Sequence, residues 1–346
     1  LGQKIPMTTK PEPQPKSEPD GRSRRLMSLS FIGLLLTQLL TAINDNAFRW
    51  LAIGIGKDYV EPSQVGTILT AGTACFVIPY LVLASPAGYL ADRFSKTHVI
   101  IGCKVAEMII MALGVCAIAA DLPAKWNVIL LFMVVALMGA QSALFSPSKL
   151  GSIPELLRPE KISGANGLFG LATVSATVIG MVIGSTLSEA TGFRGQERWW
   201  ISGLVLISIA IVGLLFSLLI RKLPIANPMR TFPWDAFSQL WADLSRLGSN
   251  IPLRRVALGI VFFWSVGALA QMNIDQFAFE GGAIAETDKI PLLISLVLGV
   301  GVGSVLAGIW SGNHIELGIL PLGAFGVAIC SMLLFTAAGV IIEPGS

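Results

Sequence analysis

Eight charge-free runs of membrane-crossing length divide this chain: 26–44, 62–91, 126–148, 162–188, 199–220, 256–274, 290–315 and 317–342. A helix that crosses a bilayer needs about 20 mostly apolar residues, so runs of this length leave little room for a water-soluble fold. Between the second and third, 97–120 is apolar apart from His98, Lys104 and Glu107, and it makes a ninth span. The expected spans are 28–55, 64–90, 97–120, 126–148, 163–188, 199–220, 256–279, 290–311 and 318–341. Composition agrees: 53% of the 346 residues are apolar, 13% are charged, and mean hydropathy is +0.73. An ordinary soluble domain is about 25% charged. The net charge of +3 is too slight to suggest a nucleic-acid partner. Cys75, Cys103, Cys116 and Cys330 all lie in apolar stretches. They read as buried small hydrophobes rather than a disulfide framework or zinc site.

Residues 1–27 carry five prolines and no apolar periodicity, and are expected to be a disordered tail. The apolar stretch after them exceeds a signal-peptide core. Lys and Arg number 17 on the tail and the loops after spans 2, 4 and 6, against five on the opposite loops. That asymmetry places the N-terminus in the cytoplasm.

Short loops join the first six spans. Then comes 221–255, the longest polar stretch after the tail, in which Phe237, Leu240, Trp241, Leu244 and Leu247 fall on one helical face. With basic flanks, this segment suits either an interfacial helix or a soluble docking helix. The resulting division is a tail (1–27), a six-helix bundle (28–220), a connector with an amphipathic helix (221–255) and a three-helix set (256–346). Two faint internal echoes support it. Asn273-Ile274-Asp275-Gln276 echoes Ile43-Asn44-Asp45-Asn46, and Gly308 to Asn313 echoes Gly88 to Arg93.

Intramembrane polar groups are costly unless they face a cavity or a partner. Gln38, Thr41 and Asp45 share a face of span 1, and Asn44 and Asn46 flank the carboxylate. Span 4 carries Gln141, Ser142 and Ser146 and ends at Lys149, span 5 aligns Asn166, Thr173 and Thr177, and span 7 carries Gln271 and Asp275. Gln38, Thr41, Asp45, Asn46, Lys149, Asn166 and Gln271 are therefore the candidate substrate-contacting residues, lining a polar path. Lys104 and Glu107, one turn apart, read as a local structural pair. Gly180-x-x-x-Gly184 and Gly299-x-Gly301-x-Gly303 read as packing motifs. No catalytic constellation, phosphate-binding loop, metal cluster or cofactor motif stands out, so this stretch reads as a non-enzyme.

The sharpest motif is Gly88-x-Leu90-Ala91-Asp92-Arg93-x-Ser95-Lys96, after span 2. It resembles the loop 2–3 signature of the major facilitator superfamily, whose plan is also six spans, a long basic connector and further spans. Ser95 stands at the usual second glycine, and Thr97 at the last basic position. Gly88, Asp92, Arg93 and Lys96 are the candidate conformational gate, with Asp92 expected to pair with Arg93 or with a helix N-terminus. The implied fold is an all-α polytopic membrane protein: the first bundle of that superfamily plus three helices of the second, an incomplete chain.

Two further stretches narrow the resemblance. Gln38-Leu39-Leu40-Thr41-Ala42-Ile43-Asn44-Asp45-Asn46-Ala47 is similar to the Q-x-x-x-A-x-x-D-N-A opening of bacterial lysophospholipid transporters. Phe145-Ser146-Pro147-Ser148-Lys149-Leu150-Gly151-Ser152-Ile153-Pro154-Glu155-Leu156, with Lys161 to Gly167, resembles a second block of that family. The likeness covers roughly residues 30–190. Gln271 stands where that family carries an arginine. The resemblance implies a flippase-like carrier of lysophospholipid or another amphiphile in the bacterial inner membrane. It also implies work beside, or fused to, an acyltransferase or acyl-ACP synthetase. A drug or metabolite exporter on the same scaffold, or a membrane anchor for a fused acyltransferase, are the competing expectations.

Overall fold

The computed structural model describes residues 23, 25–120, 122–191, 198–232, 234–280, 290–311 and 318–341. The described residues form ten α-helices and no strand. They are α1 (Leu29–Lys57), α2 (Val65–Arg93), α3 (Lys96–Ala119), α4 (Ala124–Leu156), α5 (Pro159–Thr191), α6 (Trp199–Ser217), α7 (Ala236–Ser249), α8 (Ile251–Glu280), α9 (Ile290–Ser311) and α10 (Ile319–Ile341). Nine of them fall on the expected apolar segments, and α7 falls on the amphipathic stretch of the connector. Among the described residues, α2 to α6 are long and apolar enough to cross a membrane by length and composition.

The most polar of the long N-terminal helices is also the most enclosed. α1 packs against α5, α6, α4 and α2, while α4 packs on α2 and α3, and α3 on α6. Its polar residues are thereby turned toward neighbouring helices and away from lipid. Close approach to α5 depends on two glycines. A Cβ at Gly180 would stand 2.6 Å from the Ile43 carbonyl oxygen, and one at Gly184 would collide with the Ala47 backbone and the Trp50 side chain. The expected packing role of this small-residue pair is therefore visible as backbone-to-backbone contact between α1 and α5.

Two apolar cores fill the bundle. One centres on Phe48, Leu51, Met111, Leu131, Val135 and Leu206, and the other on Phe31, Leu34, Ile100, Phe145 and Phe169. α9 packs on α5, where Val297 and, from α1, Trp50 pack against Val178 and Met181.

Two expectations change. Ser23, counted in the disordered tail, donates its N–H to Leu156 O (2.8 Å) and accepts from the Arg158 N–H (3.3 Å), so the stretch ahead of α1 is tied to the α4–α5 turn. Residues 1–22 lie outside the described residues. Cys103 is buried, but Cys116 and Cys330 are exposed on the outer surface of their helices. A small thiol there is compatible with hydrocarbon, which is why apolar surroundings in sequence did not imply burial in protein.

Candidate functional site

The polar residues of α1 are distributed among three neighbours. Gln38 donates to Thr173 Oγ1 on α5 (3.2 Å), Thr41 accepts from the Lys104 ammonium on α3 (3.0 Å), and Asp45 accepts from the Ser142 hydroxyl on α4. The stripe foreseen as one lining surface thus becomes three interhelical contacts: α1 packs on α5 and α4, and the long side chain of Lys104 reaches it from α3. Asp45 is buried, and its Oδ1 has no hydrogen-bond partner among the described residues. One turn further, Arg49 donates to Asn46 Oδ1 (2.7 Å) and lies over the Phe76 ring of α2, 5.4 Å from its centroid. Asn46 also donates to the Ala42 carbonyl (2.8 Å).

Lys104 and Glu107 form an ion pair of 2.6 Å with side chains 0% and 1% exposed. Asn44 donates to the second Glu107 oxygen (3.0 Å), and Gly213 of α6 leaves room for the lysine, since a Cβ there would stand 2.6 Å from its Nζ. The pair therefore joins α1, α3 and α6, a structural role wider than one local bridge. An isolated buried charge is very costly, and it persists only when paired and hydrogen-bonded in this way.

Lys149 is half-buried with its Nζ 5.2 Å from the Phe145 ring centroid, and Asn166 is exposed on α5. Neither residue is brought into direct hydrogen-bond contact with Asp45. Gln271 lies on α8, and its side chain falls outside the described residues. A cavity of about 510 Å³ opens between α2, α3 and α4, lined by Leu90, Phe94, His98, Gly102, Cys103 and Gln141 among others. Its walls are almost wholly apolar, and neither Asp45 nor Asn166 is among its lining residues.

At the rim the loop 2–3 motif is held by the connector. Arg230 forms an ion pair with Asp92 and donates to the Gly88 carbonyl (3.2 Å), and the Asn227 N–H donates to Asp92 O (2.8 Å). Asp92 was expected to pair with Arg93 or a helix N-terminus; its described partner is instead a cation 138 residues away. The two departures from the motif serve the same strap. The Ser95 hydroxyl donates to Leu223 O (2.7 Å), while the Thr97 hydroxyl donates to Arg221 O (2.7 Å) and accepts from the Leu223 N–H (3.1 Å). Lys96 is buried and pairs with Glu155 at the end of α4. A Cβ at Gly151 would stand 2.9 Å from Lys96 Cε. The glycine and glutamate of the second sequence block therefore accommodate one lysine of the first.

Ser142 was among the polar residues read along the path, whereas Arg49, Glu155 and Arg230 were not selected from sequence as site residues. Arg49 and Glu155 carried usable signals: a cation inside a span, and a position in a quoted block. Arg230 carried none, because its partner is remote in the chain.

Helices enclosing buried ionisable groups, with five of membrane-crossing length, define a polytopic all-α membrane protein. The chain belongs to the Major Facilitator Superfamily, which it matches across residues 26–344. It is similar to the lysophospholipid transporter LplT of Serratia proteamaculans, with 27% identity over 290 residues, 80% of this chain and 64% of that protein. The LplT proteins of Pectobacterium carotovorum and Yersinia pestis are 26% and 25% identical, each over 80% of this chain and 63% of their own length. The chain thus spans slightly less than two-thirds of these curated relatives.

Proposed function

We propose that the protein is a secondary carrier that moves lysophospholipid across its membrane by alternating access, and that this stretch performs no chemistry on the lipid. The observation that carries the reading is Asp45, a carboxylate sunk among apolar helices with one oxygen bonded to Ser142 and the other unbonded among the described residues. A buried ionisable group of this kind marks a functional position in a membrane protein. The name of the relatives, lysophospholipid transporter, supplies the substrate class.

In this reading, Asp45 and Asn46 receive the cationic part of a headgroup, and Lys149 and Asn166 receive its phosphate further along. Gln38 and Thr41 hold α1 in register, and Gln271 contributes from α8. The acyl chain stays against apolar helix surface. Gly88, Asp92, Arg93 and Lys96 form the gate, whose closed and open arrangements differ in affinity for the lipid; without such a difference a ligand shifts no equilibrium. The 17-to-five bias of basic residues supports a cytoplasmic N-terminus in the bacterial inner membrane. An acyltransferase or acyl-ACP synthetase, fused or separate, would consume the delivered lipid.

The test is flipping of fluorescent lysophosphatidylethanolamine by the chain reconstituted in vesicles. Asp45→Asn and Lys149→Ala are expected to lose transport by at least tenfold, with unlabelled lysolipid competing and soluble drugs not competing. Unchanged transport in both variants would remove this site. Competition by soluble drugs alone would assign the scaffold to a different cargo.

A further inference from the structure

The connector helix α7 touches α2 and α8, yet Trp241 and Leu244 of its apolar face stay open. Trp241 is 75% exposed and Leu244 52%, and Trp234, just ahead of the helix, is 91% exposed. Gln239 and the Asp243–Arg246 pair (3.7 Å) occupy the other side. Both ends of the helix are fixed near the bundle rim. Ahead of it, Arg230 and Asn227 hold Asp92, and the Phe232 ring meets Tyr89 edge-on at 5.2 Å. Behind it, Asn250 alone separates α7 from α8, whose stretch 256–270 has no charge. Held at both ends beside membrane helices, α7 stays within reach of the bilayer surface. Residues 221–255 carry six Lys/Arg against two Asp, and Arg254 and Arg255 are exposed in the first turns of α8. An apolar stripe on a connector of net positive charge matches an anionic headgroup layer in charge.

We propose that α7 is a docking surface for anionic phospholipid, with Trp241 and Leu244 immersed at headgroup level and Arg254 and Arg255 on lipid phosphates. The proposal needs the membrane arrangement of the family and not the transport reading, so the two fail separately.

The test uses the full chain with its four cysteines replaced by alanine and a nitroxide at Leu244→Cys or Gln239→Cys. It is reconstituted in phosphatidylcholine alone or mixed with phosphatidylglycerol. The label at 244 is expected to be reached by oxygen and shielded from an aqueous nickel chelate, with the reverse at 239. Phosphatidylglycerol should strengthen the contrast, and Arg254→Gln and Arg255→Gln should each weaken surface binding roughly fivefold. A label at 244 that the nickel reagent reaches freely would overturn the proposal, as would one shielded from both reagents, which would mean a protein cover. With the native cysteines in place, amide exchange across 236–249 should slow when phosphatidylglycerol is added; no slowing also counts against it.

Discussion

At the scale of single residues, the two carboxylates beside α1 have opposite surroundings. Glu107 has both oxygens engaged, by Lys104 and Asn44, whereas Asp45 has one oxygen engaged, by Ser142. The first arrangement suits a permanent joint and the second a position that exchanges partners. This difference predicts separable phenotypes. Lys104→Met leaves Glu107 buried without its counter-charge and should cost about 3–5 kcal/mol of stability, read as a lowered midpoint of thermal unfolding in detergent. Combining it with Glu107→Met should recover most of that loss, because no uncompensated charge then remains. If the single and double variants were equally unstable, the ion pair would not be what joins α1, α3 and α6. Asp45 and Asn46 were legible in the sequence because amides and carboxylates are rare inside spans. Arg230 was not legible: an ion pair across 138 residues follows from the path of the connector, which local periodicity does not encode.

At the scale of elements, helix positions follow directly from apolar runs, since length and hydropathy alone nearly fix a bilayer-crossing helix. Which helices touch depends on small residues. Gly184 admits the Ala47 backbone and the Trp50 side chain, so Gly184→Leu should push α1 from α5 and cost about 1–3 kcal/mol in the same unfolding measurement. The same substitution at Gly170, where a Cβ meets nothing within 4 Å, should not lower the midpoint and, by helix propensity worth up to about 1 kcal/mol, should raise it, which separates packing from propensity. The connector follows a different rule. Ser95 and Thr97 break the expected motif, and the sequence alone offered no reason for either. In the fold both hydroxyls are spent on Leu223 and Arg221. Thr97→Val keeps the shape and removes both hydrogen bonds. A net hydrogen bond is worth about 1 kcal/mol, so amide exchange at Leu223 should quicken by about fivefold or more. Unaltered exchange there would mean that the remaining ties, Ser95 to Leu223 and Arg230 to Asp92 among them, hold the strap without Thr97.

At the scale of the whole molecule, the seam between α5 and α9 is where the first six helices meet the later set. Alternating access requires relative movement of the two groups, and this seam is narrow enough to test that requirement covalently. A Cβ at residue 167 would stand 4.0 Å from the Ser304 Cβ, within the roughly 3.5–4.5 Å that a disulfide accepts. Gly167→Cys combined with Ser304→Cys, in a background lacking the four native cysteines, should therefore cross-link on mild oxidation. If the carrier works by moving these helices past one another, the oxidised protein should lose lysophospholipid transport and regain it on reduction, while either single cysteine variant transports normally throughout. Full transport in the oxidised state would place the moving boundary elsewhere. The strap offers the next candidate: it ties residues 221–232 to the first group, which leaves the stretch around α7 as the region where displacement of the second group must be absorbed.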